Sequence, residues 1–154
     1  MPLDVSYKRV EPGIWSGGGY VCWGWENREA PLRRITGTRF EFKLMCGTAN
    51  PYITICAILA AGIDGLESQL PLFAGDCQGV ASNLSAAERT RLQITTKLPT
   101  NIEESLKSLE ADVELAKGLG TSLISAYVSI TRGWNGVLRE MEMKERENWI
   151  INNY

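Results

Sequence analysis

The chain has 154 residues, 44% of them hydrophobic and 22% charged, with a formal net charge of −2. That length suits one domain with a sizeable core, and the absence of any basic block argues against nucleic acid as a partner. There is no histidine, which excludes a histidine-based triad or a histidine metal ligand from this chain.

Residues 10–19 hold Pro12, Gly13 and three successive glycines at 17–19, and read as a mobile loop. They do not form a GxGxxG motif. Residues 20–26 read as a strand with Trp23 and Trp25 on one face, as core aromatics. Residues 27–35 carry Arg28, Arg33 and Arg34, which by pattern alone solvate a surface. In residues 39–45 charge and apolarity alternate. Arg39, Glu41 and Lys43 fall on one face and Phe40, Phe42 and Leu44 on the other. Pattern alone makes the first a solvated face with cross-strand ion pairs.

After a corner at residues 46–49, Asn50 suits an N-cap and Pro51 the first helical position. Residues 52–63 are almost all apolar or small, the pattern of a buried helix. Residues 66–84 are irregular, and Ser85 with Glu88 makes a capping box for a short helix to Leu92. From Thr100 the apolar residues Ile102, Leu106, Leu109 and Val113 recur at helical spacing, up to stops at Gly118 and Gly120. A helix from Thr121 has Leu123, Ile124, Tyr127 and Val128 inward and is weakened by Gly133 and Gly136. Residues 141–151 offer a last charged helix. The apolar run at 53–63 is too short to span a bilayer, and the N-terminus lacks signal-peptide features. Four cysteines without CxxC spacing read as reduced thiols, so a cytoplasmic protein is expected.

The motifs carry a resemblance. RFEFK at 39–43, GTANPY at 47–52 and AILAAGIDG at 57–65 resemble the C-terminal catalytic region of the glutamine synthetase family, in its fungal, FluG-like branch. SYKR at 6–9, NREAPLR at 27–33, Leu98-Pro99, LEAD at 109–112 and ERENWIINNY at 145–154 extend the likeness along nearly the whole chain. It implies an α+β fold: antiparallel strands in the N-terminal third, a buried helix, then a helical C-terminal part. It also implies that residues 1–154 are the C-terminal part of a catalytic domain. The β-grasp domain and most metal ligands of the family lie upstream of this region, so Met1 is expected to open a fragment with an incomplete core.

The resemblance implies an ATP-dependent ligase that joins glutamate to ammonia or an organic amine through a γ-glutamyl phosphate, as a homo-oligomer with Mg²⁺ or Mn²⁺. Arg9 and Arg28 match catalytic and substrate-binding arginines, Arg9 holding the glutamate carboxylate. Arg28, Arg33 and Arg39 match residues on the ATP phosphates, and Glu41 matches a metal ligand. Planar, bidentate guanidinium groups suit carboxylates and phosphates, and hard oxygen ligands suit Mg²⁺. Three positions depart from the family pattern. Trp15 stands where ammonia-using members carry an acidic flap residue, Lys43 where arginine is usual, and Cys46 where aspartate is usual. The chain alone is expected to be inactive. The alternative is a non-catalytic remnant or scaffold related to fungal development; a tryptophan-rich binding module rests on Trp15, Trp23 and Trp25 alone.

Overall fold

The computed structural model describes residues 4–14 and 16–153. The fold is α+β, and the chain divides into two compact units. The first is built from residues 4–46 and 70–101, the second from the described parts of 47–69 and 102–154.

The first unit holds a three-stranded sheet in the order β1 (Trp23–Trp25), β2 (Leu32–Thr36), β3 (Arg39–Phe42). β2 and β3 are antiparallel around Gly37, whose φ of +50° is left-handed. β1 and β2 run parallel, Trp23 opposite Leu32 and Trp25 opposite Arg34, which corrects the all-antiparallel expectation. Parallel neighbours ordinarily need a crossover of about a dozen residues. Residues 26–31 reverse in fewer because Glu26 adopts φ +51° and the loop folds around the buried side chain of Asn27. Asn27 Nδ2 donates to the carbonyls of Cys77 (2.5 Å) and Gly79 (2.9 Å), while its Oδ1 accepts from Glu29 N (2.9 Å).

Cys22, Ala30, Cys77, Ala81 and Ile94 form the core of this unit, flanked by Tyr20, Leu84 and Leu92. Gly24 must lack a Cβ, which would sit 2.3 Å from the Cys77 carbonyl oxygen. The helix α2 (Ala86–Arg91) starts on the expected capping box: Ser85 Oγ accepts from Glu88 N, and Glu88 accepts from Ser85 N.

Two further expectations for this unit are corrected. Gly17 and Gly18 are buried at left-handed φ, and Cβ atoms there would meet Pro31 Cα at 3.3 Å and Glu29 O at 3.1 Å. These glycines serve close backbone approach, not mobility. Trp23 is half-buried, with Nε1 donating to Ala74 O at 2.8 Å, but Trp25 is exposed beneath the Arg34 guanidinium. Phe40 and Phe42 are exposed, because β3 is the edge of the sheet and nothing among the described residues of this unit covers its apolar face.

The second unit is helical: α1 (Pro51–Glu67), α3 (Ile102–Ala111), α4 (Val113–Leu119), α5 (Thr121–Glu140) and α6 (Met143–Asn153). Asn50 caps α1, its Oδ1 accepting from Tyr52 N and Ile53 N, with Pro51 following as expected. No residue of α1 is buried, however, and Ile55, Leu59 and Ile63 are each more than half exposed. This corrects the buried-helix expectation. α4 packs along one side of α1, with Gly118 against Ala60, and the other apolar sides stay open.

The helix expected from residue 100 breaks at Asp112, whose Oδ1 caps α4 by accepting from Leu115 N at 2.9 Å. Val113 is therefore exposed, as is Leu123, both against expectation. Ile102 and Leu106 of α3 and Ile124, Val128, Thr131 and Leu138 of α5 are buried. α5 continues through Gly133 and Gly136. Trp149 of α6 lies 4.9 Å, centroid to centroid, from Trp134. Among the described residues no helix is long and apolar enough to cross a membrane.

Candidate active site

The loop of residues 26–31, β2 and β3 gather a charged cluster in the strand unit. Arg33 stands opposite Glu41 in the β2–β3 register. Its guanidinium is bracketed by Glu26 (Nη2 to Oε2, 2.6 Å) and by Glu41 (Nη1 to Oε2, 3.4 Å). Glu26 first, and Glu41 with it, hold the Arg33 guanidinium above its ordinary pKa, against the effect of burial. Past the end of β3, Lys43 N donates to Pro31 O at 3.0 Å, and Lys43 Nζ donates to the Arg28 carbonyl. Burial pulls the Lys43 ammonium below its ordinary pKa, while Glu41 and Glu29 act the other way and Arg33 and Arg28 add to the fall.

Arg28, Arg33, Glu41 and Lys43 are thus brought together. Arg39 lies exposed at the start of β3. Arg9 closes a 3-10 turn, Asp4–Arg9, and its side chain lies outside the described part of the structure, as does Trp15 altogether. Cys46 Sγ is 3.1 Å from Ser6 Oγ, a contact that ties the Arg9 turn to the end of the β3 segment. The cross-strand pair expected from charge alternation is present as Arg33–Glu41.

The sequence did not single out two members of this arrangement. Glu29 is buried and accepts from Gly13 N at 2.9 Å; Asn27 shapes the loop. Nothing in a short polar run distinguishes either from a surface residue. Glu26 is committed to Arg33.

Arg33 Nε is buried and has no hydrogen-bond partner among the described residues. A buried donor without an acceptor is costly, and an anionic oxygen is the acceptor a guanidinium takes best. Arg132 in the helical unit is the contrast. Its Nε and Nη2 donate to Glu103, and Nη1 and Nη2 to Glu110, leaving no nitrogen idle. The orphaned Nε therefore fits a phosphate oxygen. The cluster alone does not complete a divalent metal site. Among the described residues no three acidic or cysteine side chains converge, and Glu26 and Glu41 are both tied to a guanidinium. Such an ion takes six or more oxygen ligands.

Residues 1–151 match the family model described as the glutamine synthetase catalytic domain. The chain belongs to the glutamine synthetase family. It is 42% identical to the protein FluG of Emericella nidulans over 151 residues, which is 98% of this chain and 18% of FluG. It is 32% identical to the gamma-glutamylpolyamine synthetase GlnA3 of Streptomyces coelicolor, over 92% of this chain and 31% of that one, and 33% identical to the glutamine synthetase of Pyrococcus woesei, over 93% and 33%. A solved structure described as a GmaS/ADP complex superposes with a TM-score of 0.62 at 31% identity, over 88% of this chain and 30% of that one. The chain thus spans a third or less of the length of these relatives. The family and fold expected from the sequence are borne out.

Proposed function

We propose that this chain supplies the C-terminal share of an ATP-dependent glutamate–amine ligase site, and that it does not turn over alone. The observation that carries the reading is the idle, buried Nε of Arg33 within a cluster of cationic side chains. Phosphorylation of the γ-carboxylate of glutamate creates an acyl phosphate that an amine displaces. Cations placed where charge builds up accelerate both steps. Arg33 would donate Nε to a phosphate oxygen; Arg28 and Arg39 would flank it; Arg9 would hold the glutamate carboxylate. Magnesium or manganese, when bound, would screen the phosphate charge. Glu41 is the one ligand proposed from this chain, and only once it is released from Arg33. The remaining ligands would come from elsewhere in the polypeptide.

Two similarities support the reading. One relative is a synthetase acting on polyamines by name, and one structural relative is an ADP complex by title. The former favours an organic amine over ammonia, as does Trp15 at the flap. A cytoplasmic homo-oligomer belongs to the same proposal. A second reading, a non-catalytic relative, is favoured by the closed Glu26–Arg33–Glu41 bracket and by Lys43 and Cys46 at departing positions.

The test joins this chain to the preceding catalytic region of FluG and follows phosphate release with glutamate, ATP and a panel of amines. Arg33→Ala is expected to lower turnover on the order of 10²-fold. Turnover by the chain alone, above a Glu41→Ala control, overturns the claim of incompleteness. Absence of turnover in the joined protein with every amine supports the non-catalytic reading.

A further inference from the structure

We propose that Glu26 is the resident stand-in for an oxyanion at Arg33. Its carboxylate half-fills one edge of the guanidinium, and a phosphate must displace it to be clamped there.

A guanidinium offers an oxyanion two edges. Nε and Nη2 point out along one, Nη1 and Nη2 along the other, and a carboxylate or phosphate can take two parallel bonds from either. Arg132 has the first edge filled: Nε donates to Glu103 Oε2 at 3.2 Å and Nη2 to Glu103 Oε1 at 2.8 Å. At Arg33 the same edge is half-filled. Nη2 donates to Glu26 Oε2 at 2.6 Å, while the buried Nε has no acceptor among the described residues. Glu41 does not complete that edge, since it meets Nη1, at 3.4 Å. Glu26 reaches Nη2 from an unusual backbone. It follows β1 at φ +51°, a left-handed conformation that side chains other than glycine rarely adopt, and its N–H is pinned to Arg34 O at 2.8 Å. Backbone strain of this kind is kept where the side chain has a task. The two partners also differ in exposure: the Glu26 side chain is 46% exposed and that of Arg33 15%. The carboxylate can turn out into water while the guanidinium stays. An exposed ion pair is weak, so little is lost when Glu26 leaves. An oxyanion that takes both Nε and Nη2 gains a bond to a donor that otherwise has none. Glu26 thus sets how strong an anion must be to enter: a monodentate one gains nothing over the resident carboxylate, and a phosphate does.

That the displacing anion belongs to a nucleotide rests on the ligase reading; the half-filled edge does not. The experiment titrates the intact chain with inorganic phosphate and follows the Arg33 Nε–H and the backbone amides of β2 by NMR, which needs no turnover. Glu26→Gln removes the charge and keeps the shape, and should tighten phosphate binding by about tenfold. Glu26→Asn, shorter and better suited to a left-handed backbone, should do the same, and decides the matter if Glu26→Gln does not fold. Glu41→Gln removes an equal charge from outside that edge and should gain no more than about threefold. Adding Arg33→Lys to Glu26→Gln should erase the gain, because an ammonium is a point charge without an edge. Phosphate binding that is absent from the Glu26 variants, or no tighter than in the unsubstituted chain, overturns the proposal. So do equal gains from Glu26→Gln and Glu41→Gln, or a gain that survives Arg33→Lys, since net charge alone then sets the affinity. Tighter phosphate binding in the Glu26 variants with no turnover in the joined protein refutes the ligase reading alone. Turnover in the joined protein with phosphate affinity unmoved by Glu26→Gln refutes the stand-in alone.

Discussion

The strand unit and the helical unit are held together by different means. The strand unit has a core of small side chains, Cys22, Ala30, Cys77 and Ala81, joined by the larger aliphatic Ile94. What closes it is a buried amide, Asn27, with three hydrogen bonds, and glycines that let backbone meet backbone. The helical unit is closed by branched aliphatics from α3 and α5, with Arg132 of α5 paired to Glu103 and Glu110 of α3 at a more exposed position. Yet its most apolar helix, α1, stays at the surface. Apolar composition thus states what a helix is suited to bury, not what its neighbours in a given chain cover.

That contrast is sharpest in two substitutions within the helical unit. Ile102 is 1% exposed. Ile102→Ala should cost roughly 2–5 kcal/mol through lost burial and a cavity. Ile63 on α1 is more than half exposed, and Ile63→Ala should change stability by less than about 0.5 kcal/mol. Urea midpoints on the isolated chain check both. A large cost at Ile63 would mean that α1 is covered, for example by self-association. In the strand unit the corresponding break is Asn27→Ala, which orphans the Cys77 carbonyl and the Glu29 amide and leaves the Gly79 carbonyl only the Cys77 thiol as donor. The expected loss is about 3 kcal/mol, read as faster amide exchange at Cys77 and Gly18. A loss below about 1 kcal/mol would show that water replaces the amide.

Legibility in the sequence follows the same division. Local signals carried through: the Asn50-Pro51 helix start, the Ser85–Glu88 box, the Arg33–Glu41 face of alternating charge. What failed depended on distant partners. Burial of α1 needed neighbours on several sides. Gly17 and Gly18 looked mobile because nothing local shows that Pro31 and Glu29 pack against them. The parallel β1–β2 pair was hidden because it depends on a side chain, Asn27, reaching residues fifty positions away. The arginines proposed for the site are singled out by family motifs alone; the Glu26–Arg33–Glu41 bracket required coordinates.

A smaller effect tests whether local signals also carry energy. Ser85 caps α2 and forms both halves of the capping box with Glu88. Ser85→Ala should cost about 1 kcal/mol, and Ser85→Gly only a few tenths. Equal losses for the two would place the contribution in packing and not in the cap. Because α2 backs the core through Leu92, the change should appear at the Gly75 amide, which donates to Leu92 O at 2.9 Å.

The smallest expected effect separates the two bracketed arginines. Arg132 is held by Glu103 and Glu110 in the helical unit as Arg33 is by Glu26 and Glu41 in the strand unit. The hydrogen bonds from Arg132 hold both the Glu103 and Glu110 carboxyls below their ordinary pKa of 4.5, against a small opposing effect of burial. A carboxyl whose folded pKa is depressed binds its proton more tightly in the unfolded chain. Its contribution is therefore fully present above the unfolded value and is lost as pH falls through the folded one. The difference in thermal midpoint between the unsubstituted chain and Arg132→Gln should thus hold steady from neutral pH down to about 5 and shrink towards about pH 3. These groups are solvent-exposed, so the difference should be modest at its largest and should fall further in about 1 M salt. If the gap at pH 3 equals that at pH 7, the aliphatic stem of Arg132 packing along α3 is the source, and the ion pairs contribute nothing measurable. The same titration on Arg33→Gln distinguishes the two sites. An arginine kept with an idle Nε for a ligand should contribute less to stability than one whose nitrogens are all engaged, so the gap for Arg33 should be the smaller at every pH.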